Sequence, residues 1–373
     1  GERQFDVLFA PTERSSLAGW SGTRHHLLVN VLDNVRNVVL VATHGDDGWR
    51  TEPLPGLPEF GTITASAVDA EHDDDYWLTI TDFLTPTSLW RGTIGEAPPT
   101  KHRSLPEFFD ASGLMIEQKQ AVSRDGTRVP YFLVRKRELA FDGGNPTLLY
   151  GYGGFEVSLT PGYGATVGAC WLERGGVYAV ANIRGGGEFG PRWHQAALKA
   201  DRNKSYEDFA AVAEDLIATG VTSPRHLGSQ GGSNGGLLMG NMITTYPDLF
   251  RAVVCQVPLL DMLRYHRLLA GASWVGEYGD PDVPAEAEWL RRYSPYHNVD
   301  PDTRYPRVLF TTSTRDDRVH PGHARKMMAR MMEQGHEVLY YENIEGGHGG
   351  AADNRQAAFM SALAYTFLWE NLR

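Results

Sequence analysis

Gly231-Gly232-Ser233-Asn234-Gly235-Gly236 is the stretch that decides how this chain folds. It fits the G-x-S-x-G pattern, in which a sharp strand-to-helix turn lifts a serine hydroxyl clear of a sheet edge. The strained turn leaves little room for a Cβ, so glycines crowd it. Both flanks agree with that reading. Residues 226–230 read as a short strand, and Leu237, Leu238 and Met239 begin an apolar helical run. In a chain with 41 glycines the pattern alone arises by chance. Its strand-turn-helix context makes Ser233 the expected nucleophile.

The partners follow in the order serine, acid, histidine of an α/β-hydrolase. Asp316 and Asp317 follow residues 307–312, a run that reads as a buried strand. They stand just beyond its C-terminal end, where open α/β sheets gather their chemistry. His348 follows a second strand-like run, residues 338–341, inside the loop Glu345-Gly346-Gly347-His348-Gly349-Gly350. A histidine among so many glycines is poorly suited to core packing and well placed to swing over a serine. In such a constellation Ser233 attacks a carbonyl, His348 takes its proton and hands it to the leaving group, and one aspartate fixes the imidazole. Spacing does not choose between Asp316 and Asp317. The bland alternatives are a turn-capping carboxylate and an exposed loop histidine.

The surrounding pattern supports a doubly wound, mostly parallel α/β sheet over residues 111–373. Strand-like runs recur at 147–150, 177–183, 226–230, 252–257, 308–312 and 338–341, several almost wholly apolar, as strands buried on both faces are. Helical patterns alternate with them. Ser205 with Asp208 resembles a capping box, and Phe209, Val212, Ala213, Leu216 and Ile217 recur at helical spacing before Gly220. Residues 323–334, ending at Gly335, predict another helix. Residues 353–372 predict a last one, with Phe359, Leu363 and Phe367 on one stripe. Residues 1–110 are different. Residues 26–32 and 38–42, joined by Asp33-Asn34-Val35-Arg36-Asn37, read as a β-hairpin. A second all-β stretch covers 76–81 and 88–93, and residues 96–106, with Pro98 and Pro99, read as a linker.

These residues resemble the C-terminal part of a prolyl oligopeptidase, a family of serine peptidases with an α/β-hydrolase domain and a β-propeller. The matching runs are Tyr150-Gly151-Tyr152-Gly153-Gly154-Phe155, Ala181-Asn182-Ile183-Arg184-Gly185-Gly186-Gly187-Glu188, the Ser233 turn, Asp316-Asp317-Arg318-Val319 and Gly346-Gly347-His348-Gly349. Tyr293-Ser294-Pro295 with His297-Asn298-Val299 matches as well. The resemblance implies Asp316 as the triad acid. It implies Tyr152 and the backbone N–H of Asn234 as the oxyanion hole, and Arg318 on the substrate carbonyl one residue before the cleaved proline. It also implies an aromatic slot for the proline ring, lined by Phe155, Trp274, Tyr278 and Val319, with Trp274 as the stacking surface. Trp274 and Tyr278 are also spaced as one packed helix face would be. The expected activity is hydrolysis of short peptides after proline through an acyl-enzyme. Alternatives are a related acylaminoacyl or basic-specific peptidase, or an esterase. No acidic pair stands at the matched pocket positions, which weighs against a basic-specific relative.

The family's propeller is seven-bladed, whereas the first 110 or so residues hold about two blades at roughly 40–50 residues each. The chain also begins at Gly1 without a methionine. The expectation is therefore a partial propeller on a fragment of a longer polypeptide. Its N-terminal portion is then an expected partner, and the fragment could be inactive without it. Net charge is −11, from 35 Lys and Arg against 46 Asp and Glu, and offers no basic footprint for nucleic acid. No run of about 18 apolar residues predicts a membrane span. Cys170 and Cys255 sit in apolar surroundings and read as buried free thiols, which favours a cytoplasmic setting. No cofactor is expected. No metal is expected either: Glu71-His72-Asp73-Asp74-Asp75 lacks Ca²⁺-loop spacing, and His320 with His323 has no third ligand and reads as surface or supporting. Arg184-Gly185-Gly186-Gly187-Glu188 lacks the Lys-Ser or Lys-Thr of a phosphate-binding loop.

Overall fold

The computed structural model describes residues 5–373. Strands β1 (Ser15–Gly22), β2 (His26–Asp33), β3 (Arg36–Gly45) and β4 (Gly48–Pro53) form an antiparallel sheet in sequence order. Strands β5 (Thr62–Ala67), β6 (Asp75–Thr81), β7 (Ser88–Thr93) and β8 (Thr100–Ser104) form a second. The two share a core of Leu28, Val39, Val41, Ile63, Leu78 and Ile80. Strand β8 corrects the linker expectation: residues 100–104 pair with β7. All five are exposed and polar, so no apolar alternation marks them as a strand.

The predicted hairpin forms with a two-residue turn, Asn34 at φ 49° and Val35 at φ 64°. Positive φ at both positions matches the twist of the flanking strands, but a β-branched residue is unusual there. Tertiary packing explains it. Val35 is 0% exposed and inserts into the core of the α/β region beside Phe83, Phe109 and Phe132. Gln118 clamps the same turn, donating to Asn34 O at 2.6 Å and accepting from Arg36 Nε at 2.8 Å.

The α/β region is built on β9 (Leu114–Val122), β10 (Arg128–Lys136), β11 (Thr147–Gly151), β12 (Val177–Ala181), β13 (Leu227–Gly232), β14 (Ala252–Gln256), β15 (Arg307–Ser313) and β16 (Val338–Asn343). The sheet order is β16-β15-β14-β13-β11-β12-β10-β9. Pairing is parallel from β12 through β16, and β9–β10 and β10–β12 are antiparallel. Helices α1 (Asn203–Ala218), α2 (Asn234–Thr245) and α3 (Gly322–Glu333) cover one face, while α4 (Asn354–Leu372) covers the other. This is the α/β-hydrolase sheet. Strands β9 and β10 escape the sequence pattern because Glu117-Gln118-Lys119-Gln120 is polar and Pro130 argues against a strand. Pro130 turns its carbonyl toward β12, where it accepts Asn182 N–H at 3.0 Å just ahead of the ladder that begins at Tyr131, so its missing N–H faces away from β9.

Two helix details differ from expectation. Ser205 and Asp208 do not cap α1: Ser205 Oγ donates to Arg184 O at 2.6 Å, and Asp208 takes Arg184 N–H and its guanidinium. On α4 the buried stripe is Met360, Ala364, Phe367, Leu368 and Leu372, with Phe359 52% exposed. That helix is apolar nearly all round through its middle, residues 357–369, so its pattern fixes the buried face only to within a residue.

Candidate active site

Every expected catalytic group leaves the sheet at the C-terminal edge of its parallel strands. Ser233 joins β13 to α2 at φ 59° and ψ −117°. A non-glycine residue held there is strained, and such strain collects at functional sites. A Cβ on Gly231 would meet Gly235 O at 2.5 Å, so the turn closes only around a glycine. Ser233 N–H donates to Gln256 O at 2.9 Å and pins the turn to β14. Asn234 is the first helical residue, whose backbone N–H has no intrahelical acceptor and points out of the positive end of α2.

His348 Nε2 lies 3.1 Å from Ser233 Oγ, and its Nδ1 lies 2.9 Å from Asp316 Oδ2. Asp316 is 4% exposed, and its Oδ1 accepts the backbone N–H groups of Arg318 and Val319, each at 2.9 Å. Burial pushes the Asp316 carboxyl up, but the His348 bond and the two N–H donors outweigh it and hold the group below its ordinary range. Asp317 is exposed. The histidine loop is tied rather than free: Gly350 O accepts from Ser313 Oγ and Asn343 Nδ2, both at 3.0 Å, and Asn343 Oδ1 accepts Glu345 N–H at 3.0 Å.

Opposite His348 lies the end of β11. The Tyr152 ring is half-buried, and desolvation raises its phenol pKa against the Arg202 and Arg318 charges, so the hydroxyl stays a proton donor. Asn234 Nδ2 donates to Tyr152 O at 2.6 Å, and Tyr278 OH donates to Asn234 Oδ1 at 2.8 Å. Phe155 meets Tyr278 edge to face at 5.7 Å. Val319 is buried, Arg318 exposed and Trp274 half-buried. Trp274 ends the turn Leu269–Trp274, in which Ala270 N–H bonds Arg318 O at 3.3 Å. Trp274 and Tyr278 thus lie on consecutive short helical turns, Leu269–Trp274 and Val275–Tyr278, rather than on one long helix.

Behind this wall sit two charged residues that the sequence does not single out. Arg202 is 1% exposed and Glu277 is 6% exposed, and they pair at 2.7 Å. Arg202 also donates to Gly153 O at 2.8 Å and to Asn234 Oδ1. Glu277 Oε1 accepts Phe155 N–H at 2.9 Å, and His194 Nε2–H donates to Oε2 at 2.8 Å. A Cβ on Gly154 would meet Asn234 Nδ2 at 2.6 Å and the Arg202 guanidinium at 2.8 Å, so a glycine leaves them room. No local motif marks either charge.

Three sequence features find other roles. His323 is buried, not on the surface, and accepts the Leu260 and Asp261 N–H groups on Nδ1; burial pushes its pKa down to about 4. Arg184 is locked in the interior by Asp208 and Asp125, so its glycine run braces the fold. Cys255 is buried and Cys170 only partly so, both as free thiols. Among the described residues, His266, Asp280 and Asp282 come close enough to share a cation, but the Arg267 guanidinium already bonds Asp282 at 2.6 Å. No helix among the described residues is long and apolar enough to cross a membrane.

Comparison with known proteins agrees with the α/β-hydrolase sheet. A family model described as the prolyl oligopeptidase family matches residues 166–373. An uncharacterised peptidase of Sinorhizobium fredii is 50% identical over 366 residues, covering 98% of this chain and 50% of the relative. A prolyl endopeptidase of Elizabethkingia miricola is 37% identical over 312 residues, 82% of this chain and 44% of that protein. The solved structure of a post-proline cleaving enzyme from Rickettsia typhi superposes with a TM-score of 0.89 at 37% identity, covering 98% of this chain and 53% of that one. The chain spans about half the length of these relatives.

Proposed function

Because the chain belongs to the prolyl oligopeptidase family, we propose that it carries the catalytic machinery of a serine peptidase that cleaves short peptides on the C-terminal side of proline. Ser233 Oγ attacks the prolyl carbonyl while His348 Nε2 takes its proton, and Asp316 holds the imidazole and offsets its charge. The oxyanion accepts from Asn234 N–H and Tyr152 O–H, each worth on the order of 3–4 kcal/mol in the transition state. His348 then protonates the leaving amine, and water releases the prolyl acyl group from Ser233 by the same steps in reverse order of roles. Arg318, exposed at the rim, is proposed to bind the carbonyl one residue before the proline. The two N-terminal sheets are read as two blades of a propeller.

The observation that carries the proline specificity is the state of the pocket's polar atoms. The slot proposed from Phe155, Trp274, Tyr278 and Val319 has a carboxylate behind it, Glu277, which on its own would attract a basic side chain. Both its oxygens are already taken, by Arg202 and Phe155 N–H on one and His194 on the other. The Tyr278 hydroxyl is spent on Asn234. What remains toward a substrate is apolar surface, which suits a ring with no donor and penalises a desolvated cation.

The test is hydrolysis of a blocked Gly-Pro reporter amide, its Gly-Arg and Gly-Ala counterparts, and the same panel on Ser233→Ala. The proline reporter should be preferred over the arginine one by about 100-fold or more in kcat/KM, and Ser233→Ala should abolish turnover. Undiminished turnover in Ser233→Ala would remove the nucleophile assignment, and preference for arginine would make this a basic-specific enzyme. Turnover appearing only when the N-terminal portion of the polypeptide is supplied in trans would assign that portion as an obligate partner.

A further inference from the structure

The buried Arg202–Glu277 pair touches both halves of the proposed site. On the oxyanion side, Arg202 holds Gly153 O and Asn234 Oδ1, and Asn234 in turn holds Tyr152 O at 2.6 Å. Both oxyanion donors therefore hang on one guanidinium, through the carbonyl and the side chain of the residues that carry them. On the pocket side, Glu277 holds Phe155 N–H, and Asn234 Oδ1 holds the Tyr278 hydroxyl. The Arg202 guanidinium also lies 5.2 Å from the Tyr278 ring centre.

The backbone segments so held are strained ones. Phe155 and Glu156 lie at φ 55° and 57°, and Ser233 at φ 59°. Residues in this region persist only where surrounding bonds over-determine them. The planar fork of an arginine is the side chain suited to meeting a carboxylate, a carbonyl and an amide oxygen at once. A buried ion pair adds little net stability and is retained where it fixes one geometry among several.

We propose that Arg202 and Glu277 are positioning residues of the reaction, a buried ion pair that locks the oxyanion donors Tyr152 and Asn234 in register with the pocket residues Phe155 and Tyr278. The proposal rests on the catalytic reading of Ser233 given above. Neither residue touches substrate. Their contribution appears in the rate of the chemical step, because a donor misplaced by about 1 Å costs about 100-fold there while leaving ground-state contacts nearly intact.

The test uses the full 373-residue chain and two reactions. A short alkyl fluorophosphonate forms an Oγ–P bond with Ser233 as its P–F bond breaks; fluoride leaves and the serine proton passes to His348. That reaction needs the triad and the oxyanion donors but no proline, and its concentration dependence yields kinact and KI. The Gly-Pro reporter yields kcat and KM. In Arg202→Met, kinact and kcat should fall about 10- to 100-fold while KI and KM change less than about threefold. Arg202→Lys, which keeps the charge but not the fork, should recover only a minor part of that loss. The double variant Arg202→Met/Glu277→Gln leaves no unpaired buried charge and should show the same split; it is read in place of Arg202→Met where the single variant does not fold. Unchanged kinact in a folded variant overturns the proposal, and so does a loss confined to KI and KM, which would mean the pair only shapes the pocket. Wild-type labelling without Gly-Pro turnover would sink the proline reading while the labelling comparison still judges the pair. A wild-type chain that is not labelled overturns both.

Discussion

Glu188 is a buried carboxyl that the proposed chemistry does not use, and replacing it with glutamine is a test of how burial sets a protonation state. Its Oε1 accepts Leu159 N–H at 2.9 Å and Asn182 Nδ2 at 3.3 Å, while Oε2 is buried with no partner. Among the described residues no cation follows it inside. Burial pushes its pKa up from 4.5 to about 7, against those hydrogen bonds, which favour the ionised form. Between these two values the folded chain holds a proton that the unfolded chain has released, so stability falls as pH rises through that window and levels off above it. At about 1.4 kcal/mol per pH unit the loss is about 3 kcal/mol. Glutamine keeps the shape and the acceptor and has no proton to lose. Urea unfolding of both chains at half-unit steps from pH 4 to pH 8.5 reads the difference. Glu188→Gln should match the wild type below about pH 4.5 and exceed it by about 3 kcal/mol at pH 8. Two stability curves that run parallel from pH 4.5 to pH 8 would refute the reasoning.

Two further substitutions separate neighbours that look alike in sequence. Asp316→Asn should lower kcat on the order of 10³–10⁴-fold by misorienting His348, whereas Asp317→Asn, at an exposed position, should leave kcat/KM within about threefold; equal effects in the Gly-Pro assay would reopen the choice of acid. Tyr152→Phe should lower kcat about 100- to 1,000-fold with KM nearly unchanged, since it removes a donor aimed at charge that exists only in the transition state. A rise in KM at constant kcat would instead make Tyr152 a pocket wall.

What the sequence discloses is what the backbone itself demands. The Ser233 turn is legible because Gly231 cannot carry a Cβ against Gly235 O, and a turn with that need leaves glycines behind. The placement of Asp316 and His348 is legible because each lies in the loop after a strand-like run that becomes β15 or β16. Side chains that serve a distant partner leave no such mark. Ser205 and Asp208 have the spacing of a capping box, yet both are turned to Arg184. Val35 defies its turn because a core drawn from distant parts of the sequence, Phe83, Phe109 and Phe132 among them, encloses it. Arg202 and Glu277 are 75 positions apart, and in sequence each reads as an ordinary surface charge. Only the closed fold pairs them.

Three buried carboxylates around the site show why residue type predicts so little of their state. Asp316 is followed inside by an imidazole and two N–H donors and is held ionised. Glu277 is followed by a guanidinium, a histidine N–H and a backbone N–H. Glu188 has hydrogen bonds to one oxygen only and no cation, and burial carries its pKa toward neutrality. The deciding variable is the number of donors that accompany the group into the interior, because an unpaired charge there costs far more than an unpaired dipole. The same rule bears on specificity. A pocket with Glu277 behind it is an apolar slot only while Arg202 accompanies that carboxylate; with the guanidinium gone, the wall behind Phe155 and Tyr278 would carry a net negative charge and favour a basic side chain. The charge of the proposed proline slot is therefore set by a residue that no substrate touches.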